Sequence, residues 1–142
     1  MIMNAKDEEL EREVKQAAPE NLTIIEQVPF TQIPAVYRQA KLLVNTSDSE
    51  GFPNTFLQAA ASGIPVSSLK VAEQFLTQSR FGQCAQGSME KLAEIVTGYV
   101  NASICFEPEM ALDYVRQNHS LESQTQAVCQ VLLSCLKSED IQ

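Results

Sequence analysis

The sequence predicts an α/β fold, a parallel sheet with helices on both faces followed by C-terminal helices. Two observations lead there. Short apolar or β-branched runs alternate along the chain with stretches whose apolar residues recur at helical spacing. The junctions carry Pro, Ser or Gly where helices start or stop. Strands that alternate with helices pair as parallel neighbours, because only crossover connections join them, so the expected core is a Rossmann-like layer.

Taken in order, Asp7 caps a helix with Leu10, Val14 and Ala17 on one stripe and acidic residues in its first turn, and Pro19 marks its end. Leu22 to Val28 reads as a strand, broken by Pro29, and Thr31 opens a short helix through Tyr37. Lys41 to Asn45 is the next strand. After the loop Thr46 to Phe52, Pro53 stands where a first helical turn tolerates it; Phe56, Ala59 and Ala60 share one face, and Gly63 closes the helix. Ile64 to Leu69 supplies another strand. Ser88 caps a helix bearing Met89, Leu92, Ala93, Val96 and Tyr99. Glu107 to Asn118 and Leu121 to Leu136 read as helices, the second with Leu121, Thr125, Val128, Leu132 and Cys135 along a stripe that must pack on something.

Length and composition bound the rest. With 142 residues, 44% of them hydrophobic, the chain suits one domain over 1–142. No run reaches membrane-span length and no signal peptide is evident, so a cytoplasmic chain is expected. A net charge of −8 opposes nucleic acid. Cys84, Cys105, Cys129 and Cys135 form no C-x-x-C pair and have only His119 as imidazole company, which argues for reduced thiols and against a metal site.

Ligands of open parallel sheets bind beyond the carboxyl ends of strands. There the loop from Thr46 to Thr55 stands out. Gly51 admits a close ligand, and the amides near Asn54, Thr55 and Phe56 form an anion site without any basic side chain. From spacing alone, Gly-Phe-Pro-Asn is also an ordinary strand-to-helix turn, and Glu50 a solvated carboxylate. His119 reads as a capping or packing residue, and Tyr37 and Arg38 as packing.

The longer string decides between them. Glu50-Gly51-Phe52-Pro53-Asn54-Thr55-Phe56-Leu57-Gln58-Ala59, followed by Ala60-Ala61-Ser62-Gly63-Ile64-Pro65-Val66, resembles the donor-site signature of family 4 retaining glycosyltransferases, built from two facing Rossmann-like domains. The likeness runs from about residue 20 to 136, through Asn21 to Val28, Val36 to Ala40, Arg80 to Ser88 and His119 to Glu122. It implies that this chain is the C-terminal, nucleotide-sugar-binding half, with Glu50 at the donor sugar as the catalytic position. Gly51, Phe52 and Pro53 would line the sugar, Asn54 and Thr55 would hold the diphosphate, and Val28 and Pro29 would lie near the base. The family pattern places a second Glu where this chain has Gln58, which keeps an acceptor oxygen for a ribose hydroxyl but loses the charge-assisted bond.

The resemblance further implies sugar transfer with retained anomeric configuration, a nucleoside-diphosphate sugar as donor substrate, no cofactor and no metal. The phosphate-binding Arg and Lys would come from an upstream Gly-rich loop with no counterpart before Asn21, and the acceptor from a missing N-terminal Rossmann-like domain. Met1-Ile2-Met3 reads as the end of a severed strand. The full enzyme would sit in the cytoplasm or at the membrane face, and an open sheet edge admits a homodimer. The alternative is a non-catalytic Rossmann-like protein-interaction module, which Gln58 keeps in play.

Overall fold

The computed structural model describes residues 8–25 and 27–139, with side chains through 136. The expected cap at Asp7 and the strand end at Met1–Met3 lie outside the described residues. The chain divides into two compact units, Met1–Val36 and Tyr37–Gln142.

In the first unit, α1 (Glu8–Ala17) carries Glu8, Glu9 and Glu11 in its first turn and Lys15 in its last, the arrangement a helix dipole favours. A Glu11–Lys15 pair one turn apart closes at 2.6 Å. The expected strand Leu22–Val28 is corrected: among its described residues only Ile25 forms a bridge, and the rest take no strand conformation. Pro29 (φ −55°, ψ 140°) leads into a 3-10 turn at Phe30–Gln32, and α2 (Ile33–Gln39) continues from it into the second unit.

The second unit holds a three-stranded parallel sheet in the order β1 (Leu43–Asn45), β2 (Val66–Ser68), β3 (Gly82–Cys84). Leu43 faces Val66, which faces Gly82; Asn45 faces Ser68, which faces Cys84. The connecting helices are α3 (Asn54–Ala61) and α4 (Glu73–Ser79), and the sheet is followed by α5 (Met89–Val100), α6 (Pro108–His119) and α7 (Leu121–Glu139). Val66 and Leu69 are three residues apart and so point to opposite faces. Val66 joins Phe56, Ala59, Ala60, Leu76, Phe81 and Ala111 in one core, while Leu69 joins Ala85, Leu92 and Ile95 in another. Helices thus cover both faces of the sheet, giving the α/β Rossmann-like architecture with C-terminal helices.

α3 ends where the sequence places its stop. Gly63 takes φ +72°, its amide bonds the Ala60 carbonyl at 3.0 Å, and the Ile64 amide reaches back to Ala59 at 3.1 Å. This crossed pair satisfies the last carbonyls and turns the chain into β2. At Gly82 the β2 and β3 backbones run so close that a Cβ would overlap the Val66 carbonyl, which makes glycine obligatory there.

α7 departs from expectation. Its apolar residues Val128, Val131, Leu132, Leu133 and Leu136 are all more than half exposed, and Leu121 is 85% exposed. No disulfide joins the cysteines; Cys84 is half-buried, and Cys105, Cys129 and Cys135 are exposed. No helix among the described residues is long and apolar enough to cross a membrane.

Candidate functional site

The loop from Thr46 to Pro53 leaves the carboxyl end of β1 and enters α3. Asn45, the last residue of the strand, organises it from beneath. Its Oδ1 accepts the Ser47 amide at 3.1 Å, and its Nδ2 donates to Glu50 Oε1 at 2.7 Å. Glu50 is therefore exposed yet aimed, since a short bond to a half-buried side chain fixes one of its oxygens. Gly51 faces open space: nothing would lie within 4 Å of a Cβ added there.

Pro53 is buried and serves as the N-cap of α3 with φ −78° and ψ 91°, and no side chain caps the helix. Phe56 bonds its amide to the Pro53 carbonyl at 2.9 Å and buries its ring completely, which pins the first turn to the core. Asn54 and Thr55 at the first two helical positions are exposed. No side chain caps this turn, so the Asn54 and Thr55 amides lie at the positive end of the helix dipole without a side-chain acceptor, whereas the Phe56 amide, expected to join them, is taken by the Pro53 carbonyl.

A cleft of about 390 Å³ opens on this turn, lined by Phe52, Asn54 and Leu57 on one side and by His119 and Gln124 on the other. Of the sequence-predicted residues, Phe52 and Asn54 meet here. Gln58, one turn beyond Asn54, is half-buried, and its Oε1 stands 3.4 Å from the Tyr37 hydroxyl, which also points at the Thr55 carbonyl at 3.3 Å. Both bonds are long for a hydroxyl donor, so the Gln58 amide is steadied rather than locked. Burial pushes the Tyr37 hydroxyl above its ordinary titration range. Val28 and Pro29 belong to the first unit, Val28 half-buried and Pro29 exposed.

Several contributors are missing from the sequence reading. Asn45 has a legible signal, a polar residue closing a parallel strand just before the loop. Lys70 sits at the same end of β2, its ammonium 3.8 Å from Asp48, an exposed pair of little energetic weight that leaves a cation beside the loop. His119 and Gln124 reach the cleft only because α6 and α7 fold back on this corner, which no local pattern announces. Among the described residues no three His, Cys, Asp or Glu side chains come together as a metal site would require.

The ring of His119 belongs to an aromatic cluster. It stacks on Phe52 at 5.9 Å and 26°, meets Phe75 edge-on at 6.0 Å, and lies 5.7 Å from Tyr114. Phe75 in turn touches Phe52 at 5.2 Å and the fully buried Phe81 at 5.2 Å. An exposed loop ring is thereby tied to the core.

A family model described as Glycosyl transferases group 1 matches residues 3–101, well over half of the chain. No curated protein and no solved structure matches it.

Proposed function

Since this chain belongs to the glycosyl transferases group 1 family, we propose that it is the nucleotide-sugar-binding half of a retaining, family 4 type transferase that moves a hexose to an acceptor held elsewhere. The observation that carries this reading is the uncapped first turn of α3, opening on a cleft lined by Phe52, Asn54 and Leu57. The turn's amides receive the diphosphate, and the dipole favours its negative charge although the chain as a whole is acidic. Gln58 holds a ribose hydroxyl through the acceptor capacity Tyr37 leaves it, and its amide group adds donors. Gly51, Phe52 and Pro53 line the sugar, and Glu50, oriented by Asn45, faces it.

In this reading the glycosidic bond to the diphosphate breaks as the acceptor oxygen attacks from the same face, so the anomeric configuration is kept. Negative charge builds on the departing nucleoside diphosphate, and preorganised amides stabilise it without reorganising. An Arg and a Lys from the N-terminal side share that load, and neither a metal nor a cofactor takes part. The work is done in the cytoplasm or at its membrane face.

Titrating UDP and GDP into the 142-residue chain and following amide chemical shifts tests the proposal. Shifts concentrated at residues 50–58 are expected; amides that stay put at millimolar nucleotide would sink it. A second reading, a non-catalytic Rossmann-like module that binds another protein, draws on the exposed apolar side chains of α7. It predicts instead that α7 substitutions abolish partner binding while nucleotide has no effect.

A further inference from the structure

We infer that His119 is a positioning residue of the α3 cleft, acting through its stack on Phe52 rather than through Nε2. The inference rests on the nucleotide-sugar reading above for what the cleft holds. Its geometry stands independently.

Phe52 occupies a loop without regular structure and is 52% exposed, so its own backbone does not fix the ring. Two rings do, Phe75 edge-on at 5.2 Å and His119 face-on at 5.9 Å. Phe75 is carried by α4. His119 is carried by a stiff corner: it is the last residue of α6, and Ser120 then starts α7, its Oγ accepting the Ser123 amide at 3.1 Å and its carbonyl accepting the Gln124 amide at 3.0 Å. Those bonds hold the backbone that carries the ring, and the ring itself packs among Phe52, Phe75 and Tyr114. Phe52 is in this way held by two rings, and it lines the cleft together with Asn54 and Leu57.

One ring nitrogen is poorly placed to do the work itself. Nε2 is buried with no hydrogen-bond partner among the described residues, which costs the fold something and puts that atom out of a ligand's reach. What His119 offers Phe52 is a flat face of the right size. An aliphatic side chain would fill the volume and lose the stacking geometry that sets the ring angle.

The test is a double-mutant cycle on the full 142-residue chain, with UDP-glucose and GDP-mannose as probes and the aromatic NMR signals of residue 52 as a second readout. His119→Ala is expected to shift the Phe52 ring signals and weaken nucleotide-sugar binding about three- to tenfold, the factor one aromatic pair is worth. His119→Phe should restore both, and His119→Gln should behave as Ala. Phe52→Ala should weaken binding to the same degree, and the double variant no further, since residues acting as a unit are not additive. Ring signals unmoved in His119→Ala, additive losses in the cycle, or binding retained by Gln and lost in Phe would each overturn the inference; the last would put a nitrogen on the ligand. If the wild-type chain ignores both nucleotide sugars, the donor reading falls, and the Phe52 signals alone decide whether His119 sets the ring.

Discussion

Two helices start at the carboxyl end of the same sheet, and they start differently. α5 finishes its own business. The Ser88 hydroxyl accepts the Lys91 amide at 3.2 Å and donates to Glu90 at 2.9 Å, so one side chain covers the turn with both its donor and its acceptor. The loop before it is equally self-contained: Gly87 bonds Leu69, Ser88 bonds Ala85, and Gln86 bridges Glu73 and Lys91. α3 has the opposite economy, a buried proline at its cap and no side chain over its amides. A helix start that satisfies itself is structural, whereas one left open at a cleft is available to a ligand.

The comparison can be broken at several depths. The largest effects are expected where each helix is anchored. Phe56→Ala should cost about 3–5 kcal/mol and Leu92→Ala about 2–5 kcal/mol in urea unfolding, both being core truncations. If Phe56→Ala proves nearly neutral, α3 is not held by the core and its open turn has no fixed geometry. Next comes the cap itself: Ser88→Ala should lower stability by about 1 kcal/mol and leave nucleotide shifts at residues 50–58 unchanged.

Pro53→Ser is the converse and sharper experiment. A hydroxyl at the cap of α3 should occupy an amide the proline leaves open, so stability should change by about 1 kcal/mol or less while nucleotide binding weakens. Equal or tighter binding would show that the amides are not the receptor.

The smallest effects lie in the pH limbs. Glu90 is held below its ordinary value by its own backbone amide and then by Ser88, so its contribution is present above about pH 4.5 and disappears as acid protonates it. Glu90→Gln should flatten the fall in melting temperature between neutral pH and pH 3. Tyr37 is displaced upward by burial, so its contribution holds below pH 10 and is lost as alkali approaches the raised value. Absorbance titration should find it ionising after free tyrosine, and Tyr37→Phe should reduce that late component to the part contributed by Tyr99, which burial raises as well.

The same pair of helix starts shows what a sequence discloses. α5 was legible because Ser88 precedes an amphipathic run, and α3 because Gly63 closes one; each boundary has a residue whose chemistry makes it. α4 and β3 were not, and the reason is physical. α4 is bounded by Ala72 and Arg80, both in the left-handed region at φ 56°, where a reader expects glycine or asparagine. β3 is Gly-Gln-Cys, three residues with no β-branched member, and it exists because β2 offers an edge to pair with. The loop of the site could be read as a string, but its opposite wall could not. His119 and Gln124 come to it through packing of α6 and α7, a relation between distant segments that no local spacing records. α7 marks the boundary from the other side: its stripe was visible, and the surface the stripe would cover was not.

The contact at Gly82 reaches beyond stability. Gln83 beside it is exposed and tolerant, while position 82 has no room for even one methyl group. A library varying every position from 80 to 86 should therefore yield survivors diverse at 83 but monotonous at 82. That gap, read from sequencing counts alone, would locate the seam between the second and third strands without any coordinates.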